Sequence, residues 1–399
     1  MALGGLLPPI SPDMLFLLFL SLIYLFTLVI GNLLERIRIP WIFAALILGV
    51  LIAPFTLPAA MTGETFRFLA QLGMYFLLFL IGFEIDLHEM LQEGRHIAGA
   101  AFFIILLEGV LGSLMIHYVF GYAWPIAALV AVSFATVGEA MLLPILDEFD
   151  LIDTSLGQHI VGIGVIDDAI EITAVILTSI LLGAAAGQHH VDIGIAIGSL
   201  GLLFLLAYGL TRLREEGKRL KVTDVEDIFL IVVFIFFLFI SIGKFAEAAA
   251  LGAVLAGVAT RNFIPEERLE PIEDDLKSIA YGLFGPIFFV WVGAETNLAY
   301  LAANPMLILL VVAVTNAAKI LGSWVVGHDR FGTRKSVFMG IGLSVRFSTS
   351  IVIIKLLHDG GVLDTGLYSV LIASTIVFKF LVPFLLSQLV GRWDIQGKA

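Results

Sequence analysis

The sequence predicts an all-α polytopic membrane protein of about thirteen transmembrane helices, on three observations. The 399 residues are 60% hydrophobic and only 14% charged, where a soluble domain carries about 25% charged residues. The mean hydropathy is +1.04. The chain also divides into apolar runs of span length, with basic residues gathered in alternate connecting loops.

A span needs about 20 mostly apolar residues. In chain order the candidates are 13–34, 39–55, 65–86, 97–120, 124–146, 157–183, 191–212, 223–242, 245–261, 273–295, 304–327, 334–357 and 366–391. Taking every second loop, starting after the first span, collects the basic residues: Arg36 and Arg38, then Arg95, then the run from Arg212 to Lys221, then Arg261, Arg268 and Lys277, then Arg330, Arg334 and Lys335. The opposite loops hold almost nothing basic, although Arg67, Lys244 and Lys355 lie near helix ends there. By the positive-inside rule this puts the N-terminus outside and the C-terminus in the cytoplasm, with an odd number of spans. The expected location is the inner, cytoplasmic membrane. No basic n-region precedes the first apolar run, so no cleavable signal peptide is expected.

The composition excludes several classes of function. There are no cysteines, hence no disulfides and no thiolate metal sites. Basic residues are few and confined to short loops, so no nucleic-acid partner is expected. The longest cytoplasmic loops, "RLREEGKRLKVTD" and "RNFIPEERLEPIEDD", are linker-sized. No nucleotide-binding domain, soluble C-terminal domain or cofactor is expected, and membrane lipid is the expected surrounding partner. Transport would have to draw on an ion gradient.

The ionisable residues read as lying mid-membrane are Glu108, Glu139, Asp167, Asp168, Glu171, Lys319, Arg346 and Lys379. Each costs about 2.5–3.5 kcal/mol on insertion scales, so each is a candidate for function. The alternative is a closed set of ion pairs that only holds helices together. Asp167 and Asp168, in "GIGVIDDAIEITAVIL", fit that alternative least well. Neighbours on a helix point about 100° apart, so one carboxylate can face a lysine while the other faces a cavity. Such a pair titrates as a unit and can hold a small cation or protons in competition. Lys319, in "TNAAKILGSW", is the expected partner of one aspartate. Lys379, in "STIVFKFLVPF", is a second candidate whose structural reading is a pair with Glu108 or Glu139. Glu171, one turn along from Asp168, shapes either the cavity or only the packing.

Two spans carry polar interruptions: "VSFATVGEA" at 132–140, with Ser133, Thr136 and Glu139, and "GIGLSVRFSTS" at 340–350, with Ser344 and Arg346. Secondary transporters build ion sites from such broken helices at corresponding positions of two inverted repeats. Both interruptions are the middle member of a three-span group, and the offset of seven spans gives the groups opposite orientation. Ordinary Ser/Thr packing between membrane helices is the alternative reading.

The residues resemble the monovalent cation–proton antiporters of the NhaA/NapA type, in the branch that includes Kef membrane domains. "LLFLIGFEIDLHEM" (77–90) looks like the family's third-span signature, "LGAVLAGVATRN" (251–262) like its ninth and "GPIFFVWVGAETNL" (285–298) like its tenth. The double aspartate and the later "KILG" complete the resemblance. It implies an NhaA-like fold with two crossed discontinuous helices and an elevator-type antiporter, a homodimer exchanging sodium for protons. The ion-binding core would span roughly 65–183, 273–357 and 366–391, and the dimerisation scaffold roughly 13–55 and 191–261. Asp168 would be the main cation and proton carboxylate, with Thr136 as co-ligand and Ser133 beside it. Asp167 would pair with Lys319 until the cation binds. Members with two aspartates are taken to be electrogenic.

The sequence departs from the family at Val345–Arg346–Phe347–Ser348, where relatives often read Pro-Arg-Gly-Glu. Glu139 is expected to replace the lost acid by pairing with Arg346, and Glu108 lies in a segment that supplies a site carboxylate in some electroneutral members. Potassium–proton or electroneutral exchange are the alternatives within transport. An intramembrane aspartyl protease would need its carboxylates facing each other from different helices. A channel would be oddly lined by Lys319.

Overall fold

The computed structural model of the chain describes residues 11–36, 41–55, 63–84, 95–137, 154–164, 193–213, 225–246, 248–346 and 348–393, with the isolated positions 142, 146, 151, 166, 167, 170, 178 and 395. Glu139, Asp168 and Glu171 lie outside the described residues, as does most of the expected span 157–183. Among the described residues the regular secondary structure is helical. Seven helices are long and apolar enough to cross a membrane, and four shorter apolar helices join them.

The helices are α1 (Pro12–Glu35), α2 (Phe43–Ile52), α3 (Glu64–Glu84), α4 (Arg95–Phe120), α5 (Trp124–Phe134), α6 (Ile193–Arg212), α7 (Val225–Lys244), α8 (Ala249–Phe263), α9 (Glu266–Lys277), α10 (Gly285–Ala294), α11 (Leu298–Ala303), α12 (Pro305–Gly342), α13 (Ser348–Asp359) and α14 (Thr365–Trp393). A π-helical turn, Ser278–Phe284, joins α9 to α10. The start of α1 is written in its sequence. Ser11 Oγ accepts the Met14 N–H at 3.2 Å, Pro12 opens the helix and Asp13 faces its positive end.

Contact density divides the chain into two compact units, a grouping distinct from the expected core and scaffold. The first joins the chain up to Phe76 with Leu276–Leu298; the second holds the remainder. The chain passes from one to the other within α3. In the first unit α2 crosses α10 at Gly49 and Gly293. A Cβ on either glycine would lie 2.2 Å from a backbone oxygen of the other helix, Val290 or Leu46. In the second unit Gly82 and Gly257 make the same kind of crossing, at 2.1 Å from Val254 O and Phe79 O. Small residues let backbones approach where lipid supplies no hydrophobic drive between helices. Three signature stretches from the sequence therefore owe their glycines to helix crossings.

α12 is a helical hairpin. Gly332, with φ 76° and ψ 165°, divides its 38 residues, a conformation that suits glycine alone. The second limb folds back on the first, so that a Cβ on Gly340 would lie 2.6 Å from Ile320 Cα and 2.9 Å from Lys319 O. One expected span, 334–357, is thus two pieces: the return limb of α12 and α13, separated by non-helical Leu343–Arg346.

A loop-level strap joins α4–α5 to α13–α14. Tyr122 Oη donates to Asp364 Oδ2 and accepts the Asp364 backbone N–H at 3.0 Å. Asp364 Oδ1 caps α14 by accepting the N–H groups of Gly366 at 2.7 Å and Leu367 at 3.0 Å. Burial pushes the Tyr122 phenol up from 10.0 to about 12, and its bond to the Asp364 carboxylate adds to the rise. Partial burial of Asp364 opposes ionisation, but the Tyr122 hydroxyl and the two N–H donors outweigh it and hold the carboxyl below its usual 3.8. The Asp364 contribution is complete above that ordinary value and is lost as pH falls through the lowered one. The Tyr122 contribution is complete below 10.0 and is lost as pH rises through about 12. Tyr122→Phe should accordingly abolish the alkaline part of the stability loss in thermal melts of detergent-solubilised protein. An equal alkaline loss in the variant would remove the strap from the explanation.

Candidate functional site

The site grows from the two interrupted helices. α5 opens on Trp124–Pro125 and stops at Phe134, where Ala135 takes φ −76°, ψ 1° and the helix does not continue through Val137. That break frees the Thr136 carbonyl and the Val137 N–H from intrahelical bonding, and in lipid both need partners. The Val137 N–H donates to Asp167 Oδ2. The Thr136 carbonyl accepts from Arg346 Nη1 at 3.3 Å. Arg346 lies in the second break, and across the two breaks Thr136 Oγ1 and Ser350 Oγ are 2.5 Å apart. The polar interruptions predicted from the sequence therefore meet, 210 or more residues apart in the chain.

Charge is concentrated behind this meeting point. Glu108, in mid-α4, is 1% exposed, and Lys319 and Arg346 are fully buried. Arg346 Nη2 donates to Glu108 Oε1. Lys319 Nζ lies 3.3 Å from Glu108 Oε2, a charge contact outside hydrogen-bond alignment. The Arg346 guanidinium also packs against two rings, 4.1 Å from the Phe134 centroid and 5.0 Å from that of Phe378. Gly322 explains how α12 reaches α4 here: a Cβ on it would lie 3.2 Å from Ile104 Cα, one turn from the Lys319–Glu108 contact.

Asp167 is 1% exposed. The charges of Lys319, Glu108 and Arg346 all act on its carboxylate. With all four groups ionised, two acids balance two bases. Asp167 Oδ1 and Ser133 Oγ are buried without a hydrogen-bond partner among the described residues, which leaves oxygen ligands beside the break. Thr136 and Ser344 are buried too, the latter bonded to its own helix through Gly340 O at 2.8 Å. Lys379 is buried on α14 beside Phe378.

Asp167, Thr136, Ser133, Lys319, Arg346 and Glu108 are thus gathered in one unit, while Asp168, Glu139 and Glu171 lie outside the described residues. Two expected pairings bear on this cluster. Lys319 was expected opposite Asp167, and its ion pair among the described residues is with Glu108, at 3.3 Å. Arg346 was expected opposite Glu139, which lies outside the described residues; its described carboxylate partner is Glu108. Glu108 projects from α4 into the space between α12 and the breaks. Sequence reading missed Phe134, Phe378 and the Val137 N–H. Ser350 stands in the quoted interruption, whereas a freed backbone N–H leaves no mark in residue identity.

This arrangement has relatives. A protein-family profile described as "Sodium/hydrogen exchanger, transmembrane" matches residues 21–390. The chain is 26% identical over 385 residues to the "Probable Na(+)/H(+) antiporter 3" of Methanocaldococcus jannaschii, covering 94% of this chain and 95% of that one. It is 26% identical over 339 residues to the "High-affinity Na(+)/H(+) antiporter NhaS3" of Synechocystis sp., covering 80% and 70%. Its fold resembles the solved structure of the sodium proton antiporter MjNhaP1 from Methanocaldococcus jannaschii at pH 8, with TM-score 0.62, 17% identity and coverage of 96% and 98%.

Proposed function

Because the chain belongs to the transmembrane sodium/hydrogen exchanger family, a family of transporters rather than enzymes, we propose that it exchanges sodium for protons across the cytoplasmic membrane. The observation that carries this reading is the meeting of two helix breaks beside the buried Asp167 carboxylate. Carboxylate, hydroxyl and freed carbonyl oxygens are hard donors suited to a small cation. Asp168 and Thr136 are the proposed sodium ligands, with Ser133 and Asp167 beside them. A carboxylate that binds sodium must give up its proton, and one that takes a proton must release sodium. Competition for one site is therefore sufficient for obligatory exchange, provided the site faces one side of the membrane at a time.

Alternating access is proposed to follow an elevator-type motion of the ion-binding core, roughly 65–183, 273–357 and 366–391, in a homodimer with the N-terminus outside and the C-terminus in the cytoplasm. The aspartate pair supports electrogenic exchange, since two carboxylates can release more charge as protons than one sodium ion returns. The MjNhaP1 and NhaS3 names support sodium as the cation.

Reconstitution into liposomes with an internal pH dye tests this reading. An imposed sodium gradient should drive proton movement, Asp168→Asn should abolish it, and a membrane potential should change its rate. Parallel potassium gradients read the selectivity. Undiminished exchange in Asp168→Asn would overturn the site, and sodium flux without proton movement would overturn exchange.

A further inference from the structure

Glu108 is the one carboxylate among the described residues that touches two buried bases, and the reading above gives it no role. Its two oxygens are held differently. Oε1 is bound to Arg346, which cannot move far: it also donates to the Thr136 carbonyl and packs against the Phe134 and Phe378 rings. Oε2 faces Lys319 at 3.3 Å without an aligned hydrogen bond. One oxygen of Glu108 is thus an anchor and the other a loose acceptor.

Lys319 combines a fixed backbone with a free end. Gly340 packs directly on its carbonyl, but an ammonium on a four-carbon stem has rotatable donors and can turn between acceptors. Two acceptor oxygens lack a hydrogen-bond partner among the described site residues, Glu108 Oε2 and Asp167 Oδ1. The Lys319 charge acts on Asp167 as well. If sodium takes the aspartates, Lys319 needs another anion, because an uncompensated buried charge is strongly destabilising.

Resting on the exchange reading, we propose that Glu108 is the second acceptor for Lys319: it draws the ammonium away from Asp167 and so leaves the aspartates open to the cation. Glu108 is a positioning residue in this scheme and touches no transported ion. Sodium affinity then depends on how Lys319 is shared between two carboxylates. Removing the Glu108 charge returns Lys319 to Asp167 as a competitor of sodium. The presence of Arg346 on the other oxygen keeps Glu108 aimed.

The test compares sodium dependence at fixed pH in proteoliposomes. Glu108→Gln should raise the sodium concentration for half-maximal exchange about tenfold, within the usual range of coupling between two sites. The maximal rate at saturating sodium should be largely retained, and Glu108→Asp should restore most of the affinity. In a Lys319→Gln background the same substitution should produce no further shift. Because Glu108→Gln strands Arg346 and could impair folding, Glu108→Gln with Arg346→Gln is compared with Arg346→Gln alone, and the affinity shift should persist between them. An unshifted midpoint in both comparisons, or an equal shift with Lys319 absent, overturns the proposal while leaving exchange intact. Absence of sodium-driven proton movement in the unaltered protein overturns both.

Discussion

Arg346→Met is expected to destabilise the protein by about 3–5 kcal/mol, the usual cost of removing one partner from a buried ion pair, and to slow exchange. Methionine fills much of the volume beside Phe134 and Phe378 but offers no donors. Glu108 then keeps only the unaligned contact with Lys319, and the freed Thr136 carbonyl loses its Arg346 donor. The first break would keep only the Thr136–Ser350 hydroxyl contact to the second of the two described between them. Thermal melts in detergent measure the loss, and a double-mutant cycle with Glu108→Gln apportions it. The double variant should be less destabilised than the sum of the singles, since removing both charges leaves no stranded ion. Strict additivity would mean that the pair does not act as a unit.

Gly340→Val should be nearly as damaging, by a different route. The first atom added would lie 2.6 Å from Ile320 Cα and 2.9 Å from Lys319 O. Both neighbours are backbone, so no rotamer change relieves the clash. The limbs of α12 must separate, and overpacking of this kind costs about 1–3 kcal/mol or more. Separation displaces Lys319 from Glu108 and moves the second break, which begins three residues on. Exchange should fall at least about tenfold, if the barrier rises by the 1.4 kcal/mol that corresponds to that factor. Gly201→Ala provides the comparison: it lies within α6 with no atom inside 4 Å of the added carbon. Alanine favours helix over glycine by up to about 1 kcal/mol, so transport and melting should be preserved. If Gly340→Val transported normally, packing of the α12 hairpin would not govern the site.

The strap between Tyr122 and Asp364 shows how little of a contact is visible locally. Asp364 stands directly ahead of α14 and caps it. Nothing near Tyr122 indicates that its hydroxyl bonds to the same carboxylate, 242 positions later. The cap is a local event of three residues, whereas the strap depends on where two helix hairpins end.

The sequence by itself determined the membrane-spanning helical class, because the cost of placing polar groups in lipid confines long apolar runs to spans. It also located both helix interruptions and, among the described residues, Glu108, Asp167, Lys319, Arg346 and Lys379 as buried ionisable groups, since polar side chains in an apolar run stand out without any knowledge of neighbours. Tertiary structure alone decided who pairs with whom. Lys319 and Arg346 both contact Glu108, 211 and 238 positions before them, because Gly322 lets α12 approach α4 and Gly332 turns the chain back toward the same place. Hydropathy and helix period are properties of a few neighbouring residues. The choice of a counter-ion depends on the backbone separation that glycines permit between distant helices, and one carboxylate between two bases is legible only once that separation is set.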